Sequence, residues 1–338
     1  MAKPGNTGTH RSTQRGTQRG THHDMLRVDD GLLSEFENGL NPAFPEKSRI
    51  VPTILGYGEI STAFCIEQMP DIALKRMPPF ADPDAAADYA RIVGTYCRRL
   101  REDCGVRVVR HSTCTVKNRF GEYIVYVAQP RLDTDGLGNS RLKRQGAGDM
   151  AAMVSAAAAR ILAVGRKNQN DAAVSLGIDG QLSNWHFAGE NLPFEEPRFF
   201  DITTPMLRIN GVEQLNPEIF LKSTPSPLVW LVRWRFLREV LDRYHDTRQV
   251  LIDLAANFYK EGRAELIDNA IAVINAEVAH HPLDPPIAPL TRIEVDRYYK
   301  NDAFIWTLFL KLRRADRFIQ TRLLRRRYNF ILPGKIER

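Results

Sequence analysis

Apolar positions recur first at every second residue, then at every third or fourth. Arg49 to Leu55 reads as a strand running into Gly56-Tyr57-Gly58. Ser61 to Glu67 alternates and is rich in β-formers, and Asp71 to Met77 is a third short strand. The short turns between them predict an antiparallel meander. Asp82-Pro83 then supplies an N-cap and a proline at the first helical position. Tyr89, Ile92, Val93, Tyr96 and Leu100 follow at helical spacing, so a helix is predicted to about Cys104. Two more strands are predicted, Val106 to Val116 and Tyr123 to Ala128. Gln129-Pro130-Arg131-Leu132 is expected to break the last of them.

The second half has a different period. After a polar, Gly-rich stretch to about Gly148, an Ala-rich helix is predicted from Asp149 to about Lys167. Ala172 to Ile178 reads as a short buried strand, 181 to 187 as a loop, and Arg198-Phe199-Phe200-Asp201 as a strand ending on its carboxylate. Beyond Pro227 the pattern is helical over 228–244, 246–261, 263–279 and 291–326, interrupted by Gly262 and the Pro-rich stretch 282–289. The fold class expected is α+β: a mostly β first lobe, then a mostly helical second lobe.

Composition adds limits. Four cysteines, Cys65, Cys97, Cys104 and Cys114, form no CxxC pair, so neither a zinc site nor a disulfide framework is expected, and a reduced cytoplasmic setting is the natural reading. Apolar runs such as Met150 to Ala159 fall short of a membrane span, and the N-terminus has no apolar core of a signal peptide. The net charge of +7 suits acidic partners, and its excess lies near the ends. Residues 1–27 are a low-complexity tail in which Thr13-Gln14-Arg15-Gly16 recurs as Thr17-Gln18-Arg19-Gly20, and disorder is expected there. Trp306 to Arg327 reads as a basic amphipathic helix that could meet an acidic partner; membrane or nucleic-acid binding is not expected. Trp230, Trp234 and Phe236 read as helix core, and His280-His281 before Pro282 as a helix end.

Four features with possible chemistry occur in a fixed order. Gly56-Tyr57-Gly58-Glu59-Ile60-Ser61 lies between two strands, where glycines let backbone N–H groups approach phosphates. Lys75 sits in the otherwise apolar strand Ile72-Ala73-Leu74-Lys75, from which an ammonium could reach a nucleotide's phosphates. Asp179-Gly180-Gln181-Leu182-Ser183-Asn184 offers a carboxylate to orient a hydroxyl and, five residues on, an amide oxygen for Mg²⁺. Asp201, at a strand end, can hold Mg²⁺ between phosphate oxygens. Taken singly, each also suits a hairpin glycine, an edge lysine or a turn residue.

In combination, these residues resemble the protein-kinase-like superfamily, especially its aminoglycoside/choline phosphotransferase-like branch. The resemblance covers about residues 49 to 205. It implies a two-lobed protein-kinase-like fold, with 28–130 as a small antiparallel β N-lobe and 131–338 as a mostly helical C-lobe. It also implies ATP and Mg²⁺ as cofactors. Gly56, Gly58, Ser61 and Lys75 would hold the phosphates, Gln129 the base at the interlobe hinge, and Asn184 and Asp201 the metal. Asp179, together with Lys75, would be catalytic.

The chain departs from the family pattern at Gly177, where many members have His, and at Ile202-Thr203 after Asp201. The helix from Pro83 also lacks a central acid to pair with Lys75. Asp88 and Glu102 lie about 21 Å apart at helical rise, and Glu59 is a third candidate. The activity implied is transfer of the γ-phosphoryl group of Mg·ATP to a hydroxyl of a small molecule. The alternatives are a pseudokinase-type nucleotide-binding or scaffold protein, an atypical protein kinase, a nucleotidyl transferase, and an anion-binding interaction protein.

Overall fold

In a computed structural model, the structure describes residues 26–58, 61–144, 146–189, 196–216, 237–325 and 328–331. Asp29 caps α1 (Asp30–Gly39) by accepting from the Leu32 N–H. Five strands then form one antiparallel sheet: β1 (Thr53–Tyr57), β2 (Thr62–Ile66), β3 (Met69–Arg76), β5 (Ser112–Lys117) and β6 (Tyr123–Pro130), in the order β1-β2-β3-β6-β5. Between β3 and β5 come α2 (Pro83–Cys104) and the short β4 (Arg107–Val108). Asp82 caps α2 through the Ala85 N–H, as its position before Pro83 predicts. Gly105, at φ +65°, ends α2 in the left-handed conformation that glycine adopts without steric cost.

The pleat sorts the sheet's side chains into two cores. One face carries Phe64, Leu74, Tyr126 and Ala128, packed on Leu33 and Phe36 of α1 and on Ile331 from the far end of the chain. The other carries Val125 and Val127, which join Tyr89, Val93, Tyr96 and Leu100 of α2 in a core that continues into the helices. Position 75 faces Val127 and position 73 faces Gln129 across the β3–β6 ladder. Lys75, Ala73 and Gln129 therefore share the face turned toward α2 and the second half.

That half begins with α3 (Gly138–Arg144) and α4 (Ala147–Asn170), followed by β7 (Val174–Leu176), β8 (Trp185–His186) and β9 (Arg198–Phe199). The hairpin β10 (Leu207–Ile209) and β11 (Val212–Glu213) comes next. Then follow α5 (Leu237–His245), α6 (Thr247–Lys260), α7 (Ile267–His280) and α8 (Arg292–Phe318). The mixed α+β organisation, an antiparallel sheet first and helices after, is the one expected. β4 pairs in parallel with β9 and so stitches the first half to the segment leading to Asp201.

Several local expectations are corrected. β6 runs through Gln129 to Pro130, because the missing proline N–H falls at the last residue of the ladder. Gln129 is thus a buried strand residue, not part of a break. The predicted strand from Val106 to Val116 is two strands, β4 and β5. The Gly-rich stretch before Gly148 contains α3. Asp201 lies two residues beyond β9.

The expectation of short apolar runs needs amending as well. Gly148–Asn170 is long and apolar enough, by length and composition, to cross a membrane, and half of it is buried inside the protein. Met153, Val154, Ala157 and Leu162 of this helix are fully buried in the main core. Most of the N-terminal tail, Glu59, and Trp230, Trp234 and Phe236 lie outside the described residues.

Candidate active site

Lys75 reaches off β3 to Asp201, with Nζ 2.7 Å from Oδ1. The two side chains are 13% and 29% exposed, so the pair sits in a recess that is still open to solvent. Thr203 Oγ1 donates to the same carboxylate at 3.3 Å, and Ser61 Oγ lies 3.4 Å from Thr203 Oγ1. Both contacts are long for hydroxyl hydrogen bonds and act as weak positioning contacts. The Gly58 N–H donates to the Ser61 carbonyl at 2.9 Å, and a Cβ on Gly58 would meet that oxygen at 2.9 Å. The turn therefore requires glycine at 58. At Gly56 a Cβ would touch nothing within 4 Å. The chain of contacts Gly58–Ser61–Thr203–Asp201–Lys75 brings four of the sequence-selected residues together.

Among the described residues the carboxylate that pairs with Lys75 is Asp201, and neither Asp88 nor Glu102 of α2 serves. Asp88 pairs with Arg91 and Glu102 with Arg98, each on the exposed surface of α2. Where a central acid was sought, α2 instead presents two buried tyrosines. Tyr89 donates its hydroxyl to the Thr203 carbonyl at 2.9 Å, and Tyr96 donates to the Gly177 carbonyl at 2.9 Å. The helix thus grips the Asp201 segment and the strand leading to Asp179 through neutral donors. Burial raises the Tyr89 hydroxyl pKa well above its ordinary value, and the negative charge of Asp201 adds to this, so the hydroxyl remains a donor.

Asp179 and Asn184 stand at the two ends of a tight turn. Asn184 Nδ2 donates to the Asp179 carbonyl at 3.2 Å, and the Phe200 N–H donates to the Asn184 carbonyl at 3.1 Å. Asn184 is thereby tied to the residue before Asp201. Trp185 Nε1 donates to the Gly180 carbonyl, and its ring packs on Phe199, 5.2 Å between centroids. Burial holds the Asp179 carboxyl well above the usual carboxylate range; Asp253 and Asp201 push it further, while Lys260 opposes them.

Asp253 was missed in the sequence, although a carboxylate inside the apolar run Val250 to Phe258 is itself a signal. It accepts from Gln181 Nε2 at 2.8 Å and lies 3.5 Å from Lys260 Nζ, which also pairs with Asp302 at 3.0 Å. Gln129 is 4% exposed, and its Nε2 is buried without a hydrogen-bond partner among the described residues. His186 is buried and bonds Asp133 through Nε2 at 2.7 Å, which fastens the loop after β6 to β8. That is the work of a structural histidine.

As for metals, Asn184 and Asp201 offer an amide oxygen and a carboxylate, hard donors of the kind that suit Mg²⁺. No group of three or more His, Cys, Asp or Glu among the described residues could hold an ion alone. A two-ligand set fits Mg²⁺, which commonly takes its remaining ligands from water and substrate phosphates.

The sequence pattern of DUF6206, described as a family of unknown function, matches residues 50–317 and so spans the sheet, the recess and most of the helices. The chain belongs to this family. A search of curated proteins finds no match. Among solved structures, the DUF6206 chain is similar to WaaP in complex with acyl carrier protein. The identity is 15%, covering 72% of this chain and 99% of that one, with a TM-score of 0.31. It is also similar to a point mutant of an aminoglycoside 2'-phosphotransferase IIIa in its GDP complex. There the identity is 11%, covering 70% and 94% of the two chains, with a TM-score of 0.31. Superposition at that level carries no functional weight, and the chemistry of this DUF6206 chain has to be read from its own side chains.

Proposed function

We propose that this protein is a Mg·ATP-dependent phosphotransferase acting on a hydroxyl of a small molecule, akin to the aminoglycoside/choline phosphotransferase-like branch. The observation that carries the reading is the 2.7 Å pair between Lys75 on the sheet and Asp201 beyond β9, beside the Asp179–Asn184 turn. A cation and a carboxylate held together in a recess are the two groups that must separate to receive phosphates and a cation.

In this reading Lys75 binds the α- and β-phosphates, and the Gly58–Ser61 turn lies along them. Gln129, with its unpaired buried amide, faces the base. Asn184 and Asp201 would hold Mg²⁺, whose chemistry is to neutralise charge between phosphate oxygens. Asp179 orients the acceptor hydroxyl. As the new O–P bond forms and the bond to the leaving ADP oxygen breaks, Asp179 takes the hydroxyl proton. Its raised pKa suits that task, because a base is most effective when its pKa is near the working pH. Catalysis is then mostly positioning and charge placement. A cytoplasmic setting, where ATP is present, goes with this proposal.

A nucleotide-binding protein without turnover is the second reading. It is favoured by the absence, among the described residues, of an ion pair between Lys75 and a carboxylate of α2. Phosphorus NMR of ATP mixed with a panel of hydroxyl-bearing small molecules separates the two. New phosphate-ester signals with wild type, absent with Asp179→Asn, support transfer. Mg·ATP binding without any consumption across the panel would favour the second reading.

A further inference from the structure

A cavity of about 620 Å³, which shares no lining residue with the Lys75–Asp201 recess, is lined by the end of α2, by β4 and the residues after it, by the end of β6 and by β9. Four of its ten lining residues are arginines, Arg101, Arg107, Arg110 and Arg198, and none is acidic. The remaining wall is largely apolar, with Val106, Val108, Val109, Pro130 and Leu132. Glu196 stands near, but it is shared between Arg107 at 2.9 Å and Arg160 at 3.3 Å. Arg101 and Arg110 have no carboxylate partner among the described residues.

Two features of this arrangement point to a ligand. Like charges lining one concavity repel each other, and Arg101 and Arg110 add to that cost with no carboxylate paired to them among the described residues. The volume is that of a small-molecule site, with an apolar floor for a carbon body and a cationic rim for its charges. Guanidinium forks match phosphate oxygens in pairs, as a lysine ammonium does not. The rim is also held in place: β4 is paired to β9, and the Val109 N–H donates to the Phe199 carbonyl at 2.9 Å.

We infer that this pocket is a second, separate binding site for a small organic phosphate carrying two or more negative charges. Its standing does not depend on whether the Lys75–Asp201 recess takes a nucleotide.

The test titrates inorganic tripolyphosphate, without magnesium, into the full chain by calorimetry, with citrate as the carboxylate counterpart. Wild type and Lys75→Met are expected to bind tripolyphosphate alike. The double variant Arg101→Gln/Arg110→Gln should bind at least about tenfold more weakly. Both arginines are exposed, so the variant's melting temperature should match wild type. If it does not, Arg101→Lys/Arg110→Lys, which keeps the charge and loses the fork, should give an intermediate affinity. Binding unchanged in the double variant, binding lost in Lys75→Met alone, citrate bound as tightly as tripolyphosphate, or no binding at millimolar tripolyphosphate would each overturn the assignment.

Discussion

Replacing Tyr89 with Phe removes one oxygen and leaves the rest of the ring. The Tyr89 side chain is packed on Phe80, 5.3 Å between centroids, and the residue is 3% exposed, so packing should survive and no cavity of consequence opens. What is lost is the hydrogen bond to the Thr203 carbonyl, at 2.9 Å in a buried setting. A typical hydrogen bond contributes about 0.5–1.5 kcal/mol net, and a buried acceptor left unpaired raises the cost to about 1–3 kcal/mol. Urea unfolding should therefore show a lower midpoint with an unchanged slope.

The same substitution loosens the segment that carries Asp201 and Thr203. Mg·ATP affinity should fall by about two- to tenfold, which is at most about 1.4 kcal/mol. Tyr96→Phe is the matched control. It orphans the Gly177 carbonyl at a similar stability cost, on a different segment, and should leave nucleotide affinity near wild type. The reasoning fails if Tyr89→Phe is as stable as wild type, or if both variants weaken nucleotide binding equally.

A second stability prediction concerns the opposite face of β3, where Arg76 donates from Nε and Nη2 to the buried Glu37 at 2.8 and 2.7 Å, and Tyr126 donates to the same carboxylate. Glu37→Ala strands the guanidinium and should cost about 3–5 kcal/mol, whereas Glu37→Met/Arg76→Met leaves no unpaired buried charge and should cost less, about 1–3 kcal/mol for the Tyr126 hydroxyl left without its acceptor; equal losses for the two variants in denaturant titration would contradict this. A third concerns pH. Asp179 has a folded pKa above its unfolded value of about 3.9, so its contribution to stability is fully present below the unfolded pKa and is lost as pH rises through the folded one. Asp179→Asn should therefore be more stable than wild type at neutral pH. Its advantage should shrink as pH falls toward about 4, and a pH-independent difference would show that the carboxyl is not held above its ordinary range.

The recess was legible in the sequence where chemistry follows from local pattern. Alternation and turn residues give the meander, and with it the face on which Lys75 lies. The helical period after Pro83 gives α2 with its cap. Other parts depend on contacts that no local pattern encodes. Tyr89 and Tyr96 read as members of an apolar stripe, because their rings do pack in the core; only the three-dimensional approach of Thr203 and Gly177 reveals what their hydroxyls do. Glu37 on α1 and Arg76 on β3 are paired from distant parts of the chain. Pro130 looks like a break, yet it costs nothing at a ladder's last residue. Asp253 stands out only once a charge within an apolar helix run is treated as a question about its partner.

The central claim is a magnesium-dependent nucleotide site built on Lys75 and Asp201. The most direct measurement is calorimetric titration of ATP, with and without Mg²⁺, into wild type, Lys75→Met and Asp201→Ala. The account predicts a binding event in wild type that requires magnesium, and that each variant weakens this magnesium-dependent binding at least about tenfold. Folded wild type that shows no magnesium-dependent binding of ATP at millimolar concentration, or variants whose magnesium-dependent binding equals that of wild type, would contradict it.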